Sequence, residues 1–323
     1  MNEKRIASPV TIDGVRVKNR IAVPPMVNFG NSGADGIVSE KSLRHYENCA
    51  RGGSGLVIVE AAAVSPFARL DDSQMGIWSD AQIEGLKKLA AVISGNGAVP
   101  VIQLHFAGLN TRAKTAVFVS PSADEATGAR EMTNGEVKEA VELFTAAAGR
   151  AKTAGFSGVE IHGAHNYLLA RFFDPRSNLR TDEYGGSLEN RTRIAGEILA
   201  AVKARCGENF IIGIRCGSNI PDIAGGIETG KQLEAMGYGY LHISSGINDK
   251  LTELPPAGFM GNSMLYGGTK IKENVEIPVI AVNGIKTKKE AEYIIENLLA
   301  DIVAVGRATI SDYDWAKKVL SEE

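Results

Sequence analysis

The sequence has few of the residues that mark several large classes of protein. It contains only three cysteines among 323 residues, and no two of them are spaced as a CxxC motif. This set supplies neither a disulfide framework nor a zinc or iron–sulfur site, so we expect a cytoplasmic protein. No apolar run approaches the roughly 20 residues of a membrane-spanning helix. The opening residues, MNEKRIASPV, also lack the apolar core of a signal peptide.

The chain also lacks a large excess of charge of either sign. Its formal net charge of −3 argues against a nucleic-acid-binding role, which normally requires a basic surface. Hydrophobic residues make up 44% of the chain, enough for a sizeable core. There is no linker or low-complexity tract, and 323 residues fit one α/β barrel. We therefore predict a single domain over residues 1–323.

Eight short apolar runs alternate with helical segments, and each run is typical of a strand buried on both faces. Eight repeats of strand and helix predict a (β/α)8 TIM barrel of the α/β class. An open doubly wound sheet is the alternative, but it should have a glycine-rich turn after its first strand. A hairpin around Asp13-Gly14 is expected to close the bottom of the barrel. The predicted strands are Ile21–Val23, Leu56–Glu60, Val99–Leu104, Val159–His162, Phe210–Arg215, Tyr240–Ser244, Pro278–Val282 and Ile302–Gly306.

Capping motifs mark the beginnings of several helices. Ser79–Gln82, Thr133–Glu136 and Thr287–Glu290 each place Ser or Thr three residues before Gln or Glu, which is the capping-box pattern. Apolar residues then recur at helical spacing and predict one buried face for each helix. Ser39 is expected to begin the first helix.

The most informative stretch, residues 158–193, begins GVEIHGAHNYLL. Glu160 and His162 share one face of a predicted strand, and His165 and Tyr167 follow within five residues. Imidazoles offer hydrogen-bond donors and a phenol can deliver a proton, so this set suits polarising a carbonyl oxygen and protonating a neighbouring carbon. Side-chain packing is the simpler alternative. A metal-dependent lyase or isomerase using Glu160, His162 and His165 is another, although no further cluster nearby completes the ligand shell.

Polar and unusual residues also follow the other predicted strands, at the end where barrels have their active sites. Asn283-Gly284 and Gly306-Arg307 follow the last two strands, where barrels often bind phosphate. Arg215 ends the fifth strand, where a buried cation needs an anionic partner. Gln103 lies near the end of the third strand, and its amide can both donate and accept hydrogen bonds.

The motif HGAHNYLL at 162–169, followed by RTDEYGGSLENR at 180–191, resembles the signature of the Old Yellow Enzyme family of FMN-dependent ene-reductases and NADH:flavin oxidoreductases. The resemblance covers nearly the whole chain. It implies hydride transfer from NADH or NADPH through FMN to the β-carbon of an α,β-unsaturated carbonyl compound. It also implies a small-molecule substrate and allows a homo-oligomer, while the net charge and the lack of a long apolar run predict no nucleic-acid or membrane partner.

The resemblance assigns roles to individual residues. His162 and His165 match the pair that grips the carbonyl oxygen of the substrate, and Tyr167 matches the proton donor. These three are the expected catalytic residues, and no bound metal is expected. The implied FMN contacts are Pro24, Pro25, Met26, Val27, Ala61, Gln103, His162, Arg215, Asn283, Gly284, Gly306 and Arg307.

Three positions depart from the family's usual pattern. Val27 stands where Cys or Thr usually donates a hydrogen bond to the flavin O4, so the flavin should be harder to reduce. Phe29 stands where one branch has a substrate-facing tyrosine. QLHFAG in place of QLAHAG moves an imidazole by one residue, to His105. Phe29 and His105 are expected to contact the substrate, and a flavin-binding protein with weak turnover is a further alternative.

Overall fold

The computed structural model describes residues 5–247, 251 and 253–321. An antiparallel hairpin of β1 (Val10–Ile12) and β2 (Val15–Val17) precedes a closed barrel of eight parallel strands. The barrel confirms the (β/α)8 prediction and excludes the open sheet, because the last strand pairs with the first. Its strands are β3 (Ile21–Val23), β4 (Leu56–Ala63), β5 (Val99–His105), β8 (Gly158–Gly163), β9 (Ile211–Gly217), β10 (Tyr240–Ser244), β11 (Val279–Ala281) and β12 (Ile302–Ala304).

All eight predicted strands are present, with small differences at their ends. The largest difference is at β4, which continues to Ala63 and changes register between Val59 and Ala62. Two short strands that were not predicted, β6 (Val119–Ser120) and β7 (Arg130–Glu131), pair with each other in the excursion that follows β5.

Ten α-helices accompany these strands in the described part of the chain. The three predicted capping boxes and the Ser39 cap are all confirmed. Ser79 caps a 3-10 turn at Asp80–Gln82, which leads directly into the second helix. The helices are α1 (Glu40–Arg51), α2 (Ile83–Gly95), α3 (Asn134–Thr153), α4 (Leu168–Phe173), α5 (Leu188–Cys206), α6 (Ile223–Met236), α7 (Ser263–Lys272), α8 (Lys288–Glu296), α9 (Arg307–Ser311) and α10 (Trp315–Ser321).

The hairpin closes the N-terminal end of the barrel, as predicted. Ile12 and Val17 are buried in one apolar cluster with inward-facing strand residues such as Leu56. Asp13, in the hairpin turn, accepts a hydrogen bond from the backbone N–H of Ile212 at 3.3 Å. With that end filled, the C-terminal end of the barrel is left for a binding site. No helix in the described ranges is both long and apolar enough to cross a bilayer.

Candidate active site

A cavity of about 190 Å³ lies at the C-terminal end of the barrel, between the first strand and the last two. Its walls bring together eight of the residues predicted to contact the cofactor: Pro24, Pro25, Met26, Arg215, Asn283, Gly284, Gly306 and Arg307. These residues come from four separate strand ends, so only the closed barrel assembles them. Ile285 and Lys286 also line the cavity and were not predicted from the sequence.

Gly306 keeps the cavity open at the point where β12 leads into α9. A Cβ atom at Gly306 would lie 2.8 Å from Sδ of Met26 and 3.2 Å from Cγ of Pro24. A side chain there would therefore fill space that a ligand could occupy. Across the cavity, Asn283 adopts a left-handed backbone with φ of 93°. Its Nδ2 atom is buried without a hydrogen-bond partner among the described residues, so it is available to a ligand oxygen.

Arg215 is a buried cation with an unused hydrogen-bond donor. The residue is 7% exposed, and its Nε atom has no partner in the described chain. Burial lowers the pKa of the guanidinium, although the nearby carboxylate of Glu160 partly opposes this effect. A buried charge is costly unless it is paired and hydrogen-bonded. The position therefore favours an anionic group in the adjoining cavity.

Glu160 is the centre of a hydrogen-bonded network inside the barrel. Its Oε1 atom accepts a hydrogen bond from Nε2 of Gln103 at 2.7 Å. Its Oε2 atom accepts one from the Tyr240 hydroxyl at 2.9 Å and lies 2.9 Å from Nδ1 of His242. Burial raises the pKa of Glu160, but His242, Arg215 and Tyr240 together outweigh burial and the net shift is downward. Glu160 is therefore a carboxylate with both oxygens engaged.

A glycine on the intervening strand makes this network possible. Gly213 lies beside both Glu160 and Tyr240 in the strand register. A Cβ atom at Gly213 would lie 2.1 Å from Cζ of Tyr240, so any larger residue would block the phenol from reaching Glu160.

These contacts weaken the metal-site alternative for Glu160, His162 and His165. Both carboxylate oxygens of Glu160 point to Gln103, Tyr240 and His242 instead of joining the other two residues in a ligand set. Across the described ranges, no group of three or more His, Cys, Asp or Glu side chains is arranged to hold a metal ion.

Four aromatic side chains pack together at the C-terminal ends of β5 and β8. The ring centroids of His105 and Tyr167 are 4.3 Å apart, and those of His162 and His165 are 5.1 Å apart. His162 also lies 5.0 Å from Tyr167, so the four rings form one cluster. Both ring nitrogens of His105 are buried with no hydrogen-bond partner in the described chain. The structure thus brings together four of the five residues predicted to contact the substrate.

Burial keeps the imidazoles of this cluster neutral. It lowers the pKa of His105 to about 3, and it is the main reason that the pKa values of His162 and His165 lie well below 6.5. Nδ1 of His162 accepts a hydrogen bond from the backbone N–H of Ala164 at 3.4 Å, so the ring proton is on Nε2. Burial also raises the pKa of Tyr167, which keeps the phenol protonated.

A strained turn after β8 fixes the position of His165. His165 and Asn166 both have left-handed backbones, with φ of 59° and 63°. This conformation is unusual for residues other than glycine. Here the N–H of His165 donates to the carbonyl of Ser245 at 3.0 Å, and that of Asn166 donates to the carbonyl of Gly246 at 2.9 Å. The turn is thereby tied to the end of β10, and Nε2 of His165 lies 2.8 Å from Oγ of Ser244.

The remaining predicted residues lie in or near a second, open cleft. Val27 and Phe29 line this cleft of about 670 Å³, which begins at the residue after Met26. The backbone N–H of Asn28 donates a hydrogen bond to Oε2 of Glu60 at 3.0 Å. Burial raises the pKa of Glu60 to about 7. Ala61 follows Glu60 within β4 and is 4% exposed.

The family model for the NADH:flavin oxidoreductase / NADH oxidase family matches residues 5–322. The chain belongs to this family. Its relatives include the NADH oxidase of Thermoanaerobacter brockii, which is 38% identical over 323 residues, and the NADPH dehydrogenase of Bacillus velezensis, which is 36% identical over 326. The Old Yellow Enzyme resemblance is thereby confirmed.

The solved structures of two other proteins have the same fold as this chain. A 2-naphthoyl-CoA reductase in complex with 2-naphthoyl-CoA has a TM-score of 0.88 and 26% identity over 98% of this chain. Morphinone reductase has a TM-score of 0.83 and 25% identity over 99% of this chain. The chain spans about half the length of the 2-naphthoyl-CoA reductase (52%) and of the T. brockii NADH oxidase (49%). It spans 95% of the B. velezensis enzyme and 90% of morphinone reductase.

FMN is the cofactor of this oxidoreductase family, and the residues of the first cavity fit it. Arg307 and Lys286 supply positive charge for a phosphate, and the free Nδ2 of Asn283 suits a hydroxyl or phosphate oxygen. The unpaired Nε of Arg215 suits the anionic side of a flavin ring. Gln103 donates one of its two Nε2 hydrogens to Glu160, and its carbonyl oxygen can accept from a flavin N–H.

The residues that organise these groups were given no role from the sequence. Every second residue of β10 from Tyr240 onward has a polar side chain that contacts the site. Tyr240 and His242 contact Glu160, and Ser244 contacts His165. Three polar residues at a spacing of two in an otherwise buried strand were the signal that could have found them.

Proposed function

We propose that this flavin oxidoreductase reduces the carbon–carbon double bond of α,β-unsaturated carbonyl compounds, with NADH or NADPH as the source of hydride. When bound, FMN supplies the carrier that accepts hydride from the nucleotide and delivers it to the substrate. The observation that carries the proposal is the ring cluster. Two neutral imidazoles and a protonated phenol cluster close to the buried cation of Arg215, which itself lines the cavity that fits FMN.

The proposed roles follow from the protonation states of these side chains. His162 and His165 donate hydrogen bonds to the carbonyl oxygen of the substrate, which withdraws electrons from the double bond. Neutral donors suit this task because they stabilise developing negative charge on the oxygen without first losing a proton to it. Tyr167 gives its phenolic proton to the α-carbon. Acid catalysis of this kind is typically worth ~10²–10⁴-fold in rate.

His105 and Phe29 are proposed to shape the substrate side of the site. His105 lies against Tyr167 and has two buried ring nitrogens without partners, so a polar group on the substrate would satisfy one of them. Phe29 is 45% exposed on the second cleft and presents an apolar ring. Val27 has no donor for a flavin oxygen, which favours slower reduction by the nucleotide than a Cys or Thr would allow.

The relatives support this proposal at the level of the reaction class. The B. velezensis relative is named an NADPH dehydrogenase, and the T. brockii relative is named an NADH oxidase.

All three cysteines are buried free thiols, which supports a reducing, cytoplasmic setting. A homo-oligomer remains a prediction, and light scattering of the purified protein would test it.

The test is an anaerobic experiment on protein saturated with FMN. We expect NADH or NADPH to bleach the flavin absorption, and added cyclohex-2-enone to restore it with formation of cyclohexanone. Bleaching without restoration would overturn the proposed substrate class. A flavin spectrum that persists with both nucleotides would favour the weak-turnover alternative and direct attention to Val27. Failure to bind FMN at all would overturn the proposal as a whole.

A further inference from the structure

The hydroxyl of Ser244 makes a close contact with one nitrogen of His165. Oγ of Ser244 lies 2.8 Å from Nε2 of His165, and Ser244 is 2% exposed. The two residues are 79 positions apart, and the turn that joins His165 to Ser245 and Gly246 fixes their relative position. The fold therefore fixes this contact. Which of the two atoms donates the hydrogen bond determines which ring nitrogen of His165 carries the proton.

Hydrogen-bond accounting gives that direction. The Ser244 hydroxyl has no other hydrogen-bond partner among the described residues. If Nε2 of His165 were the donor, the buried hydroxyl proton would have no acceptor. If the hydroxyl donates to Nε2, both the hydroxyl proton and the nitrogen lone pair are satisfied. Buried donors are rarely left unpaired, so the second arrangement is favoured.

The direction of this hydrogen bond sets the tautomer of the imidazole. The ring of His165 is neutral and carries one proton, and an accepting Nε2 places that proton on Nδ1. Nδ1 has no hydrogen-bond partner in the part of the chain that the structure describes. His162 has the opposite arrangement, since its Nδ1 accepts from Ala164 and its Nε2 carries the proton. Each ring thus has one N–H that makes no hydrogen bond to the described residues.

We propose that Ser244 is a positioning residue that holds His165 in the Nδ1–H tautomer, so that His165 and His162 together donate two hydrogen bonds to one substrate oxygen. The role of the pair rests on the proposed function, whereas the tautomer does not depend on it. Without the hydroxyl, the tautomer with the proton on Nε2 would become accessible. Nδ1 would then present a lone pair to the substrate oxygen and repel it.

The tautomer can be read directly by NMR on protein labelled with 15N-histidine and saturated with oxidised FMN. Two-bond 1H–15N correlation patterns distinguish the two neutral forms, and a His165→Gln variant assigns the signal among the five histidines. We expect Nδ1–H in the wild type and in Ser244→Thr, which keeps the hydroxyl. We expect a shift toward Nε2–H in Ser244→Ala. Ser245→Ala is the matched control, because it changes the next residue and should leave the tautomer unchanged.

Kinetics supply the second measurement. Loss of one donor to the substrate should lower kcat/KM for cyclohex-2-enone about tenfold in Ser244→Ala, with recovery in Ser244→Thr. The rate of flavin reduction by the nucleotide should change less.

An Nε2–H signal in the wild type, or a tautomer unchanged in Ser244→Ala, would overturn the inference. The Nδ1–H tautomer in a protein that does not turn over enones would instead refute the proposed function and leave the tautomer assignment intact.

Discussion

The guanidinium carbon of Arg112 lies 4.3 Å from the centre of the Phe29 ring. This contact joins the segment after β3 to the loop after β5 across the mouth of the barrel. Arg112 is itself held by Asp71, with Nε donating to Oδ2 at 2.7 Å. The position of Phe29, the most exposed of the predicted substrate contacts, therefore depends on a residue from a distant part of the chain.

Replacing Arg112 with alanine should release the Phe29 ring without disturbing the first cavity. An exposed cation–π contact is worth about 0.5–1 kcal/mol, so we expect KM for an enone to rise about two- to fivefold with little change in kcat. Steady-state kinetics would measure this change. In Arg112→Lys the KM should rise less than in Arg112→Ala, because lysine keeps a cation near the Phe29 ring. An equal loss of FMN affinity in Arg112→Ala would show that the loop supports the cofactor instead.

Replacing Arg215 with methionine should separate cofactor binding from stability. In flavin-free protein the buried cation has an unused Nε donor, which is unfavourable, but its charge also stabilises the Glu160 carboxylate. Because these two effects oppose each other, its removal should leave the melting temperature nearly unchanged. FMN should bind about 10- to 100-fold more weakly, because a charged hydrogen bond to the flavin is lost. Fluorescence titration with FMN and thermal unfolding of the flavin-free form would measure the two effects. A large fall in the stability of the flavin-free protein would contradict this view of Arg215.

Replacing Tyr167 with phenylalanine removes the proposed proton donor and little else. No hydrogen bond from its hydroxyl to another described residue would be lost. We expect enone reduction to slow by ~10²–10⁴-fold while reduction of the flavin by the nucleotide is nearly unchanged. Stopped-flow measurement of the two half-reactions separates these steps. Equal slowing of both would remove Tyr167 from the role of proton donor.

The stability of the protein should depend on pH through Glu60. Burial raises the pKa of this carboxyl from 4.5 to about 7 in the folded state, so the folded protein binds the proton more tightly than the unfolded chain does. The resulting stabilisation is complete below the unfolded pKa and is lost as pH rises through the folded pKa. As pH rises from about 4.5 to about 7, the wild type should therefore lose up to ~3 kcal/mol of stability relative to Glu60→Gln, which has no proton to release.

Urea unfolding of both proteins at pH 5 and pH 8 would measure this difference. Glu84→Gln, at an exposed glutamate on α2, is the matched control for the change from carboxylate to amide. If Glu60→Gln and the wild type differ by the same amount at both pH values, Glu60 does not titrate in this range.

The barrel was predictable because its signals are local. Each buried strand is a short apolar run, and the capping boxes at Ser79, Thr133 and Thr287 mark helix starts within four residues. The barrel rule then placed the strand ends together, which is why the lining of the first cavity could be predicted. The change of register in β4 was not predictable, because it depends on how that strand pairs with β5.

The contacts between side chains of the site were beyond sequence reasoning for a different reason. Gln103 and Glu160 are 57 residues apart and meet only because β5 and β8 pair in a particular register. Shifting that register by one residue would turn their side chains away from each other. Likewise, nothing near Phe29 in the sequence indicates that Arg112 covers it. The types of residue at the site could thus be predicted from the sequence. Their hydrogen-bond partners and protonation states could be assigned only from the folded chain.

The pairing of β3 with β12 has a consequence for synthesis of the protein. Val303 lies beside Ile21, so the first and last barrel strands close the ring together. Pro24 and Met26 are translated well before Gly306 and Arg307, which lie on the other wall of the same cavity. A nascent chain that stops before β12 therefore has only one wall of this cavity and no closed barrel. Loading of the cofactor must wait until β12 and the residues that follow it have emerged, so translation products truncated before Gly306 should not capture FMN.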